Sequence, residues 1–129
     1  MKKILVLLIA LNVAACGQIA KTIGIQNPID NNKLSVLIST WGTADSFVIA
    51  YRGLPRCTIK NTPSITNWCY KRSVLVQAQI YDKQASDAIN KAVAWQRNNP
   101  TLDASSYIEA AQNALDIFVN YNATHGISQ

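Results

Sequence analysis

Seven residues settle the fold class of this chain. Val74, Ala78, Tyr81, Ala85, Ala88, Ala92 and Trp95 recur at steps of 4, 3, 4, 3, 4 and 3. That spacing lines one face of an α-helix and cannot line one face of a strand. It predicts a long helix over about 71–97, broken by Asn98-Asn99-Pro100. The small residues from Ala78 to Ala92 let a neighbouring helix approach closely. A second stripe, Leu34, Leu37, Trp41, Ala44, Val48 and Tyr51, predicts an earlier helix. Asp30, Asn31 or Asn32 is expected to cap its start, and Gly53 and Pro55 to stop it. Gly42 inside it costs about 1 kcal/mol relative to alanine. A third stripe, Ile108, Ala111, Leu115 and Phe118, follows Pro100. Asn99 or Thr101 is expected to cap that helix, with Asp103 at the positive end of its dipole. Asn120 to Gly126 is expected to end it. No segment alternates as a half-buried strand would. The expected fold is therefore all-α, a small three-helix bundle over 33–126.

Length and composition narrow the function classes. A chain of 129 residues holds one small domain. Apolar residues make up 49% and charged residues 15%, too apolar for a disordered tail and too polar for a multispanning membrane protein. There are three Cys, one His, no CxxC and no glycine-rich loop. Most metal, nucleotide and redox chemistry is thereby excluded, and no cofactor is expected. Asp82 and Asp87 lie five apart on one helix and share no face well. His125 falls in a tail expected to fray, where it cannot be held as a general base. The chain reads as non-enzymatic.

The N-terminus gives an address. Met1-Lys2-Lys3 is followed by eight apolar residues, Ile4 to Leu11. A membrane span needs about 20 apolar residues, so this run is a secretory h-region. Val13-Ala14-Ala15-Cys16 comes next and resembles the lipobox of bacterial lipoproteins. The resemblance implies cleavage of residues 1–15, a diacylglyceryl thioether on Cys16 and acylation of its new amine. Two or three acyl chains hold a protein firmly on a membrane where one binds reversibly. In that class Asp after the cysteine favours inner-membrane retention. Gly17 stands there, which implies the periplasmic face of the outer membrane. Residues 16–32 then read as the lipidated cysteine and a tether, about 20–25 Å long as a flexible coil. A short surface helix over 19–25 is the alternative. Loss of Lys2 and Lys3 leaves ten cations against seven carboxylates, too mild a balance for a nucleic-acid partner.

With Cys16 assigned to lipid, Cys57 and Cys69 remain as an even pair in an oxidising compartment. A disulfide between them closes a 13-residue loop between the first two helices. The chain-entropy estimate for such a loop is about 3 kcal/mol. Charge gathers at the same place. Arg52, Arg56, Lys60, Lys71 and Arg72 lie in or beside the loop, and no Asp or Glu occurs between Asp45 and Asp82. From Thr101 onward the balance is −3. Trp68, an aromatic beside these cations, suits an interface. These residues form the candidate binding surface, for an envelope protein or for anionic lipid. A solvated loop is the plainer reading. An apolar stripe left open would suit a partner helix, lipid or a second copy of the chain.

Tyr51-Arg52-Gly53-Leu54-Pro55-Arg56-Cys57, a second Cys and a long Ala-rich helix resemble small lipoproteins of phage and prophage genomes. The resemblance covers about 44–120, though those proteins carry more Ala and more charge in the long helix. It implies a phage-related envelope protein and no mechanism; the lipobox, the tether and the basic loop together suggest a lipoprotein that binds an envelope partner or occludes a receptor. Two other readings stay open: a lysis accessory resembling an outer spanin, and an inhibitor of a periplasmic enzyme.

Overall fold

The computed structural model describes residues 28–60 and 68–127. Three helices make up the bundle: α1 (Pro28–Arg52), α2 (Arg72–Asn98) and α3 (Ser105–Thr124). Each packs against both others. The loop between α1 and α2 carries the Cys57–Cys69 disulfide, so the all-α architecture and the bridged loop are as the sequence predicts. Cys16 and its tether up to residue 27 lie outside the described residues.

The predicted stripes form the core, with a shift of register in α2. Leu34, Leu37, Ala44 and Val48 of α1 are buried, and so are Ile108, Ala111, Leu115 and Phe118 of α3. In α2 the buried residues are Leu75, Ala78, Ala85, Ile89, Ala92 and Gln96. Val74, Tyr81, Ala88 and Trp95, which the spacing places on the same stripe, are only partly buried at its edge. The reason is that α2 touches two neighbours, so its buried face is centred on the alanines and widened to one side. Ala78, Ala85 and Ala92 have no exposed surface, as close helix approach requires.

The helix ends differ from expectation in three places. First, α1 begins at Pro28 rather than after a cap at Asp30, Asn31 or Asn32, so residues 28–32 are helical and not tether. Proline suits the first helical position because its missing N–H has no intrahelical partner there in any case. Second, neither Asn99 nor Thr101 caps α3. Asn99 instead ends α2, its Nδ2 donating to the Trp95 carbonyl at 3.1 Å. The Asp103 carboxylate accepts the Ser105 backbone N–H at 2.9 Å and also the Ser105 hydroxyl. These bonds, the hydroxyl first, hold Asp103 below the ordinary carboxylate range.

Third, the end of α3 is pinned rather than frayed. Gly126 has φ 70°. Its N–H donates to Ala123 O at 3.4 Å, while the Ile127 N–H reaches back to Asn122 O at 2.9 Å. This pair of bonds around a left-handed glycine is a Schellman motif. It turns Ile127 inward, where it is 3% exposed.

Candidate functional site at the basic end of the bundle

The connection between α1 and α2 is built by backbone geometry before any charge is considered. Gly53 N–H donates to Ile49 O and Ala50 O, and Leu54 N–H to Tyr51 O, which winds up the last turn of α1. Pro55 breaks the helix. The chain then pairs with residues beyond the disulfide. Cys57 N–H donates to Tyr70 O and Tyr70 N–H to Pro55 O, both at 2.9 Å. The disulfide locks this pairing, with Cα atoms 4.9 Å apart. The Tyr51 hydroxyl accepts the Lys71 backbone N–H at 2.8 Å, and the Tyr51 and Tyr70 rings meet edge to face.

These contacts bring the candidate residues together. Arg52 closes α1, Arg56 sits in the paired segment, and Lys71 and Arg72 open α2. All four are exposed, as is Lys60, and Trp68 is half exposed. Among the described residues the one salt bridge is Lys83–Asp87, and none joins any of the five cations. The C-terminus of α3 lies at this same end, because the three helices run antiparallel in turn. The sequence places no Asp or Glu after Asp116. One end of the bundle thus combines five cations with no acidic side chain, a distribution that makes the local potential positive.

A cleft that sequence reasoning did not find opens at this end. It has a volume of about 380 Å³ and is lined by Phe47, Ala50, Tyr51, Leu54, Trp68, Gly126 and Ile127. The lining comes from α1, from the loop and from the turn after α3. The Schellman turn is what supplies Gly126 and Ile127. A motif-level signal for it existed in the sequence, an Asn-Ala-Thr-His-Gly-Ile run at a helix end, but its partner residues are about 75 positions away. At Phe47 the cleft meets a second hollow of about 230 Å³, lined by Thr40, Thr43, Ala44, Phe47, Val119 and Asn122. Asn122 is 1% exposed. Its Nδ2 donates to Ala44 O at 3.3 Å and its Oδ1 has no partner.

Tyr121 supports the same end from beneath. Its hydroxyl donates to Val74 O at 3.3 Å, and its ring meets Tyr81 edge to face and stacks on His125. Burial, with Tyr81 and Tyr51 nearby, pushes its phenol above the ordinary value. No group of His, Cys, Asp or Glu among the described residues is placed to hold a metal ion. None of their helices is long and apolar enough to cross a membrane. No protein-family model matches the chain, and no curated protein or solved structure matches it either.

Proposed function

We propose that this chain is an exported, lipid-anchored, non-enzymatic binding protein of the bacterial envelope, with the basic end of its bundle as the recognition surface. The observation that carries the reading is the segregation of charge. Arg52, Arg56, Lys60, Lys71 and Arg72 share one end with no acidic side chain, and among the described residues none of them forms an ion pair. The lipobox-like Val13-Ala14-Ala15-Cys16 supplies the anchor, and the paired Cys57 and Cys69 suit an oxidising compartment.

The helical geometry supports a partner other than the anchoring leaflet. A 25-residue α1 is about 37 Å long. Its N-terminus follows Cys16 by twelve residues, and its C-terminus carries Arg52. Arg52 therefore closes the end of α1 remote from Pro28, the end nearer to Cys16 in sequence. A basic surface at that remote end suits an anionic envelope component or protein, as receptor occlusion would need.

Two measurements test the reading. Labelled palmitate is expected to enter the full chain and not Cys16→Ser. The combined Arg56→Glu, Lys71→Glu, Arg72→Glu variant is expected to keep the label and the membrane fraction while phage adsorption and envelope cross-links return to those of cells lacking the gene. A full chain without fatty acid overturns the anchor. A charge-reversed chain that behaves as wild type overturns the recognition surface.

A further inference from the structure

α1 carries a second stripe that the core does not use. Val36, Thr40, Thr43, Phe47 and Ala50, with Leu54 in the turn beyond, recur at steps of 4, 3, 4, 3 and 4. Alternating steps of 4 and 3 are the heptad spacing that keeps one face turned toward a partner helix. Val36 is 61% exposed, and Thr40, Thr43 and Ala50 are exposed as well. The two hollows along this face meet at Phe47, and Val119, Asn122 and Ile127 close them on the side of α3. Together they make one groove along the outside of α1 and α3. We infer that a second copy of this chain fills it, with the two α1 helices antiparallel across a two-fold axis near Thr43. The inference rests neither on the lipid anchor nor on what the basic end recognises.

The polar groups of this face are already prepared for loss of water. The Ser39 hydroxyl donates to Val36 O and the Thr43 hydroxyl to Ser39 O, both at 3.0 Å, and the Ser46 hydroxyl donates to Thr43 O at 2.6 Å. Each is satisfied on its own helix, so covering it strands no donor. Asn122 is the exception. It is 1% exposed and lines the groove, and its Oδ1 has no donor in this chain. A buried acceptor is costly to leave open. The antiparallel arrangement brings the Thr40 hydroxyl of the second copy close to its level.

Charge fixes the direction of packing. α3 runs parallel to α1, and the bond from Asn122 to Ala44 O sets the two helices level at that point. Asp116 comes six residues earlier and so lies level with Ile38, while Glu109 lies level with Asn31. Asp116 precedes Val119 by three residues and shares its side of α3. Across the two-fold axis Arg52, nine residues past Thr43, comes level with Leu34 of the other copy, between those two carboxylates. A parallel pair would set basic end beside basic end. Lys33, at the acidic end, has Asp103 of its own chain as an electrostatic partner.

The size of the face suits a dimer in exchange with its monomer. From Val36 to Leu54 the groove runs about 27 Å, and two helices side by side make it about 20 Å wide. Paired copies then cover about 1,100 Å² of projected area, close to the about 1,200 Å² at which specific interfaces begin. Two-fold pairing of one patch with itself is also the commonest way for soluble chains to associate.

The full chain, purified in mild detergent, is sedimented over a range of concentrations. A reversible monomer–dimer equilibrium is expected. Ala50→Arg, at an exposed helix position, is expected to weaken it about tenfold or more with circular dichroism unchanged. A monomer at every concentration overturns the inference. So does an Ala50→Arg chain that dimerises as wild type, the result of a micelle merely holding two copies. Short bismaleimide cross-linking of mixed variants reads the direction. Val36→Cys is expected to join Ala50→Cys, and Thr43→Cys to join itself. A cross-link between two Val36→Cys copies overturns the antiparallel arrangement. Arg52→Glu and Asp116→Lys are each expected to weaken the dimer about two- to fivefold, and their combination to restore it; no recovery overturns the charge pairing. Mass and cross-links are read without reference to adsorption or fatty acid, so a failed dimer leaves the recognition surface standing.

Discussion

The Trp41 indole donates to the Asp82 carboxylate at 2.7 Å, joining α1 to α2 across 41 positions of sequence. Burial raises the Asp82 pKa above its ordinary 3.8; the Trp41 bond opposes this, and nearby Asp45 adds to it. A raised carboxylate favours the folded state most when protonated. Its contribution is complete below 3.8 and is lost as pH rises through the raised value. Asp82→Asn keeps an acceptor for Trp41 and removes that loss. Its melting temperature is expected to equal or exceed wild type at pH 7 and to vary less with pH. Asp82→Leu leaves the indole N–H without an acceptor and is expected to cost about 1 kcal/mol. Thermal unfolding at several pH values checks both.

Two glycines are expected to respond in opposite directions to alanine. A Cβ on Gly42 would meet nothing within 4 Å, inside helical backbone. Gly42→Ala is expected to stabilise the protein by about 0.5–1 kcal/mol, because glycine loses more chain entropy in a helix. Gly126 also has open space, but its φ is +70°. There alanine is strained in the left-handed region, and Gly126→Ala is expected to cost about 1–2 kcal/mol. Denaturant midpoints of the two variants should move to either side of wild type.

Gln96 is 0% exposed, and neither end of its amide has a hydrogen-bond partner. A buried amide without partners costs about 1–3 kcal/mol. Gln96→Leu is close in volume and removes the unpaired groups. A higher melting temperature, by a few degrees, is expected; an unchanged or lower value would show that the amide is satisfied in solution.

Removing the disulfide tests what holds the basic end together. Cys57→Ser with Cys69→Ser is expected to cost about 2–4 kcal/mol, since the unfolded loop regains its freedom. The backbone bonds from the residue 57 N–H to Tyr70 O and from Tyr70 N–H to Pro55 O then hold the pairing without a covalent lock and open more often. Amide exchange read at Cys57 and Tyr70 positions should therefore rise more than exchange at Ala85 or Leu115, which sit in the helical core.

The helical periods of the sequence were enough to specify three amphipathic helices, the breaks between them, and the crowding of cations around two cysteines. Those are local properties: a step of three or four residues defines a face wherever the helix ends up, and Pro55 and Pro100 stop a helix unaided. The tertiary structure alone decided which side of α2 is buried, because that depends on where α1 and α3 press on it. It decided that Asp82 meets Trp41 and that Gln96 is enclosed. It also decided that the turn at Gly126 closes over Phe47 and Trp68 to form a cleft at the charged end. Each of these joins residues far apart in the chain, and no local pattern encodes the distance between helices that packing sets.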